Sequence, residues 1–196
     1  MAATPARRLT RAETREQTRM RIIDAATVLF LRGGFRATSL EQVAEEAGYT
    51  VGAVYSNFES KTAMGVAVID ELYACEEQRL IESLARVPEG DVDGAFEALS
   101  AWADSTIGDP DWTRLEIETF SAHEESYRAA TAARHARLRA RCRELIRGRL
   151  LADSSLDPDL LATAMVGLAL GIGLQRAADP SIPGRAWGQA VRALVR

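Results

Sequence analysis

The chain holds a single lysine, Lys61, against 23 arginines. Lys61 falls where a long helix should begin. Free backbone N–H groups at a helix start already favour anions, so a compact ammonium there suits a phosphate. Donor side chains crowd the preceding stretch: Arg36, Thr38, Ser39, Thr50, Tyr55, Ser56 and Asn57. Such residues, some here at helix starts and Ser56 and Asn57 later on a helix, are the usual means of gripping a nucleic-acid backbone. Tyr55 adds an apolar ring with a polar tip, which can pack and reach a phosphate at once. Other chemistries lack their residues. His123 and His135 are the only histidines and Cys75 and Cys142 the only cysteines, with no metal or redox spacing among them. There is no Ser/His/Asp set and no Gly-rich phosphate loop. The expectation is therefore no catalytic residue, no metal, no cofactor and no enzyme.

Charge is distributed to match. The net charge is −4, yet residues 1–40 carry eight arginines against three acidic groups. A basic beginning on an acidic body suits DNA at one end only. Arg7, Arg8 and Arg11 lie in a polar stretch, residues 1–13, read as disordered: either a plain tail or a basic arm in the minor groove. That stretch has no apolar core, so it is not read as a signal peptide. Isolated cysteines fit a reduced, cytoplasmic setting. The longest apolar run, Leu160–Leu174, has 15 residues. A membrane span needs roughly 20, so no membrane is expected and this run reads as a buried helix.

The elements that must position these residues are helices, since apolar residues recur at helical spacing and β-type alternation is absent. A first helix is expected over about Thr14–Arg32, stopped by Gly33-Gly34. Ser39 with Gln42 reads as a capping box. Leu40, Val43, Ala44 and Ala47 follow at i, i+3, i+4 and i+7, and Gly48 permits the left-handed turn that ends this short helix. Thr50 caps the next, where Val51, Val54, Tyr55 and Phe58 repeat the spacing. Two short amphipathic helices around a three-residue turn form a helix-turn-helix. Helices under about 12 residues are marginal alone, so both must pack on the first. A long helix from Ser60 or Lys61 to Arg86 then leads into five more: Asp91–Ile107, Asp111–Ala122, Glu125–Leu150, Asp157–Ala178 and Arg185–Val195.

Residues 18–65 carry a resemblance. Ile23, Ala25, Ala26, Leu29, Phe30 and Gly34-Phe35, then Val43-Ala44, Ala47-Gly48, Tyr55-Ser56-Asn57-Phe58 and Lys61, resemble in order and register the signature of the TetR/AcrR family of transcriptional regulators. The resemblance implies an all-α fold: an N-terminal three-helix unit with a helix-turn-helix (residues 1–66), joined by a long helix to a C-terminal helical dimerisation and ligand domain (residues 67–196). It implies a DNA-binding regulator, a homodimeric repressor of a palindromic double-stranded operator released by an unidentified small-molecule effector. The alternative is a constitutive DNA-binding dimer without a ligand. Tyr55 and Lys61 fall at the family's phosphate contacts. Thr38 and Ser39 can add to them, and Arg36 is a groove or phosphate candidate. Base reading falls to Thr50, Val51, Gly52 and Ala53, none of which reads base edges bidentately. Apolar contact and DNA shape must then carry more of the specificity.

For the C-terminal part, the apolar helix around 157–178 and the helix 185–195 are the expected homodimer interface, with Gly167, Gly171 and Gly173 allowing close approach. Phe96, Trp102, Trp112, Phe120 and His123 are candidate pocket residues, although any one of them can equally be core. Glu116 and Glu118 would favour a cationic ligand, although exposed helix faces carry such residues routinely. The arginine run from Arg134 to Arg149 reads as a solvated face.

Overall fold

The computed structural model describes residues 10–120, 125–150 and 157–195, and its regular elements are all helical. They are α1 (Arg11–Gly33), α2 (Leu40–Ala47), α3 (Val51–Asn57), α4 (Lys61–Ala85), α5 (Val92–Thr106), α6 (Pro110–Phe120), α7 (Glu125–Leu145), α8 (Pro158–Ala178) and α9 (Ala186–Leu194). A π-helical turn, Ile146–Leu150, extends α7.

The local signals act as physical chemistry requires. Ser39 Oγ accepts from the Gln42 N–H at 3.2 Å while Gln42 Oε1 accepts from the Ser39 N–H at 2.7 Å, so two orphan donors of α2 are satisfied reciprocally. Gly48 ends α2 at φ +73°, a conformation that an L side chain adopts only at some cost. Thr50, Ser60 and Asp157 cap α3, α4 and α8 through their side chains. One boundary is corrected. Residues 10–13 are not disordered, because Thr10 and Glu13 form a second capping box and α1 begins at Arg11. Arg7 and Arg8 lie outside the described residues.

Two apolar cores result. The first joins Ile22, Ala26 and Phe30 of α1 to Val43, Val54, Phe58 and Met64, and also recruits Leu115 of α6 and Tyr127 of α7. The second joins Leu84 of α4 to Phe96, Leu99, Met165, Trp187 and Val191. Helix α4 belongs to both, with Val68 and Ile69 in the first and Leu84 in the second. Within the first core α4 passes very close to its neighbours. A Cβ built on Gly65 would stand 2.9 Å from Phe35 Cε2 and 3.2 Å from Thr119 Cγ2. Gly65→Ala is therefore expected to destabilise the chain by about 1–3 kcal/mol through overpacking, read as a lowered midpoint in urea unfolding. An unchanged midpoint would show that Phe35 yields freely.

The apolar helix α8 is two-sided within one chain. By length and composition it could cross a membrane, but its inner face, Leu161, Ala162, Met165 and Val166, packs into the fold. Its outer face is not buried within one chain, since Leu160 and Leu174 are 68% and 59% exposed. Gly173 is spent internally against Gly108 and Ile107, whereas Cβ atoms on Gly167 and Gly171 would meet nothing within 4 Å.

The arginine run is also corrected. Arg134 is 2% exposed, pairs through Nε with Asp70 at 2.8 Å, and lies over the Tyr73 ring. Its guanidinium ties α7 to α4 instead of facing water. Arg137 and Arg141, in contrast, are exposed and form pairs with Asp70 and with Glu77 and Glu144.

Candidate nucleic-acid interface and adjoining cavity

Helices α2 and α3 pack on α1, and α3 presents an open face. Val54 is its only fully buried side chain, with Phe58 anchoring its end from the first core. Gly52 and Thr50 are exposed, and Val51 and Ala53 are half-buried. Tyr55 is not a core residue: it stands 58% exposed, because α3 turns only its Val54 side inward. Ser56 and Asn57 both donate to the Ala53 carbonyl at 2.8 Å, Ser56 through Oγ and Asn57 through Nδ2.

Two residues that the sequence reading did not single out hold α3 in place. Arg15 and Arg19, one turn apart on α1, donate to the Ser56 and Asn57 carbonyls at 3.2 and 3.1 Å. Arg19 also lies 4.4 Å above the Phe58 ring. Cations at the last carbonyls of a helix offset its negative end. Their spacing on α1 was visible in the sequence; their partners, about forty positions away, were not.

Lys61 opens α4 beside the loop that leaves α1. Its Nζ donates to the Arg36 carbonyl at 3.1 Å and sits 4.7 Å above the Phe35 ring. Partial burial holds its pKa below the usual lysine value, with Glu118 pulling the other way. Arg36 is exposed and Ser39 half-buried. Thr38 does not join them. It is 6% exposed and its hydroxyl donates inward to the Gly34 carbonyl at 2.9 Å, which corrects its reading as a phosphate donor.

The neighbouring helix α6 touches this unit. Glu118 Oε2 accepts from the Arg36 N–H at 3.1 Å, and Arg114 donates to the Leu31 carbonyl near the end of α1. The other side of α6, through Trp112, Thr113, Glu116 and Ile117, walls a half-open cavity of about 550 Å³ together with α4, α5, α7 and α8. Trp102 and Trp112 line it; Phe96 does not, being 3% exposed in the second core. Phe120 ends α6, its side chain outside description, and His123 lies outside the described residues.

Tyr73, Glu76 and Glu116 line the cavity as well and were not all foreseen. Tyr73 donates to Glu116 Oε1 at 2.9 Å and meets the Trp112 ring edge-to-face at 4.9 Å. Burial pushes the Glu116 carboxyl above the usual range, opposed by the Tyr73 hydrogen bond and by Arg134. The same burial, with Glu116 beside it, drives the Tyr73 phenol upward. The Trp112 indole N–H is buried without an acceptor among the described residues, so this wall carries an unmet donor.

Residues 22–68 match the family model for bacterial regulatory proteins of the tetR family. Over 62 residues the chain is 47% identical to the HTH-type transcriptional regulator SrpR of Pseudomonas putida, covering 32% of this chain and 29% of that one. It is 35% identical over 71 residues to the HTH-type transcriptional repressor NemR of Escherichia coli K12, covering 36% of each chain. The chain thus spans about a third of the length of these curated relatives. The fold as a whole is like that of SmeT, solved as a triclosan complex, with a TM-score of 0.65, 20% identity and coverage of 91% of this chain and 90% of that one.

Proposed function

We propose, from the premise that the chain belongs to the TetR/AcrR family of DNA-binding transcriptional regulators, that it is a homodimeric repressor released from a palindromic operator by a small molecule. The observation that carries this reading is the double use of α6. One of its faces walls the 550 Å³ cavity while Arg114 and Glu118 hold Leu31 and Arg36 of the DNA-binding unit. A ligand that displaces α6 acts on both ends at once. It shifts the DNA-binding units only so far as it favours one arrangement over the other. A constitutive dimer would need no such space beneath α6.

In this reading residues 1–66 bind DNA and residues 67–196 hold the ligand and the partner. Arg36, Ser39, Tyr55, Ser56, Asn57 and Lys61 hold phosphates. Thr50, Val51, Gly52 and Ala53 approach the bases. The outer face of α8 with α9 pairs with a second copy, spacing the half-sites about 34–36 Å apart or somewhat more. The setting is cytoplasmic and no catalysis is involved; the relatives named as regulators and a repressor support this.

Selection of bound fragments from the source genome tests the whole reading. A two-fold symmetric site is expected, and binding without any preferred site would overturn it. The same selection tests α3. Val51→Asn is expected to change which sites are enriched, by about 1–3 kcal/mol between best and displaced base pairs. Unchanged preference would remove Val51 from the base contacts.

A further inference from the structure

The effector reading leaves the chemistry of the ligand open, and the cavity wall bears on it. Its charged lining is one-sided: Glu76, Glu77, Asp109, Glu116 and Glu144 against Arg141. Several of these are already answered. Arg141 pairs with Glu77 at 2.6 Å and Glu144 at 2.9 Å. Glu76 holds Arg79 at 2.7 Å and the Thr106 hydroxyl at 2.8 Å. Asp109 accepts from the Trp112 backbone N–H at the start of α6. Glu116 differs. Among the described residues its carboxylate has one hydrogen-bond donor, the Tyr73 hydroxyl, and no ion pair. Arg134, whose charge is felt at Glu116, is committed to Asp70.

Beside that carboxylate stand two aromatic rings. Trp112 precedes Glu116 by one helical turn on α6, so both fall on the same side. Tyr73 meets Trp112 edge-to-face at 80°, and Arg134 lies over one face of the Tyr73 ring, so the rings form an aromatic corner next to the charge. Ring faces attract cations, most strongly where water is excluded. Beyond the corner the lining turns apolar, with Leu80, Ile81 and Leu84 of α4 and Met165, Ala169 and Leu170 of α8.

We infer that the cavity takes an amphipathic cation, its ammonium group set among Glu116, Tyr73 and Trp112 and its apolar body lying between α4 and α8. An anion entering here finds carboxylates and no uncommitted guanidinium on the described wall. A neutral apolar molecule fills the space but leaves Glu116 without a counter-charge.

This inference rests on the effector reading, and one titration series separates the two. The full chain is titrated by calorimetry with three probes of one shape and different charge: 4-tert-butylbenzylammonium, 4-tert-butylbenzyl alcohol and 4-tert-butylbenzoate. The ammonium is expected to bind about tenfold tighter than the alcohol, with the benzoate weakest. Glu116→Gln, which keeps an acceptor for Tyr73, should bring the ammonium within about threefold of the alcohol and leave the alcohol unchanged. If that variant loses the alcohol as well, Trp112→Leu serves instead, and the ammonium should lose more than the alcohol. Equal binding of the ammonium and alcohol, tighter benzoate, or a preference that survives both substitutions overturns the cation and leaves the effector reading standing. Binding of none of the three overturns both.

Discussion

Replacing Gly167 with arginine is expected to leave a folded chain that no longer dimerises and that loses its operator. Within one chain the site is open, since a Cβ there meets nothing within 4 Å. Arginine is also a better helix former than glycine by about 1 kcal/mol, so α8 itself gains. The cost falls on the partner. Leu160, Gly167, Gly171 and Leu174 follow at spacings of seven, four and three residues, one face of a helix. Both leucines of that face are largely exposed. A contiguous apolar stripe of this kind marks an interaction surface. In a two-fold interface the substitution enters twice, and each guanidinium buried without a partner costs several kcal/mol. The wild type should run near twice 21.3 kDa by light scattering and the variant near 21.3 kDa. Two half-sites bound through one dimer gain from effective concentrations of about millimolar order, so the monomer should lose operator affinity by about 100-fold or more. A variant that remains dimeric would place the interface elsewhere.

The second large effect is expected at Lys61. Lys61→Gln should weaken binding to every DNA sequence alike, by about tenfold at low salt, and reduce the slope of log affinity against log salt by about 1. Removing one phosphate contact removes one counterion release and no base information. Tyr55→Phe should act in the same sense without touching the salt slope, because a hydroxyl carries no charge. Lys61 also supports the Arg36 carbonyl and covers Phe35, so unfolding curves of the variant must be compared alongside. Anisotropy titrations with one operator and one scrambled duplex suffice. A change in preference between the two duplexes, with affinity for the scrambled one retained, would refute the phosphate role.

Helix ends were largely readable in advance because they are local. The Ser39–Gln42 box, the Thr50 cap, the left-handed Gly48 and the Asp157-Pro158 start each depend on residues within four positions of one another. Where reading failed, the deciding partner was distant. Arg134 looked like one more solvated arginine until Asp70, 64 positions away, claimed it. Phe96 and Trp102 both stand on α5, yet the first fills the core and the second meets the cavity. Spacing places such residues on a helix; only the packing of other helices decides which side is empty. Tyr55 shows the same limit, since its spacing with Val51 and Phe58 suggested burial that a seven-residue helix did not deliver.

The eleven residues of α6 divide by face: Trp112, Thr113, Glu116 and Ile117 toward the cavity, Arg114 and Glu118 toward the DNA-binding unit. On the effector reading proposed above, sensing and transmission would be written on one short helix in interleaved but separate letters. A library that varies only the cavity-facing set can retune which molecule is recognised while the output stays wired. Varying positions 114 and 118 instead alters how strongly any recognised molecule is heard. Such a layout suits the chain to becoming a reprogrammable biosensor with independent dials for input and gain.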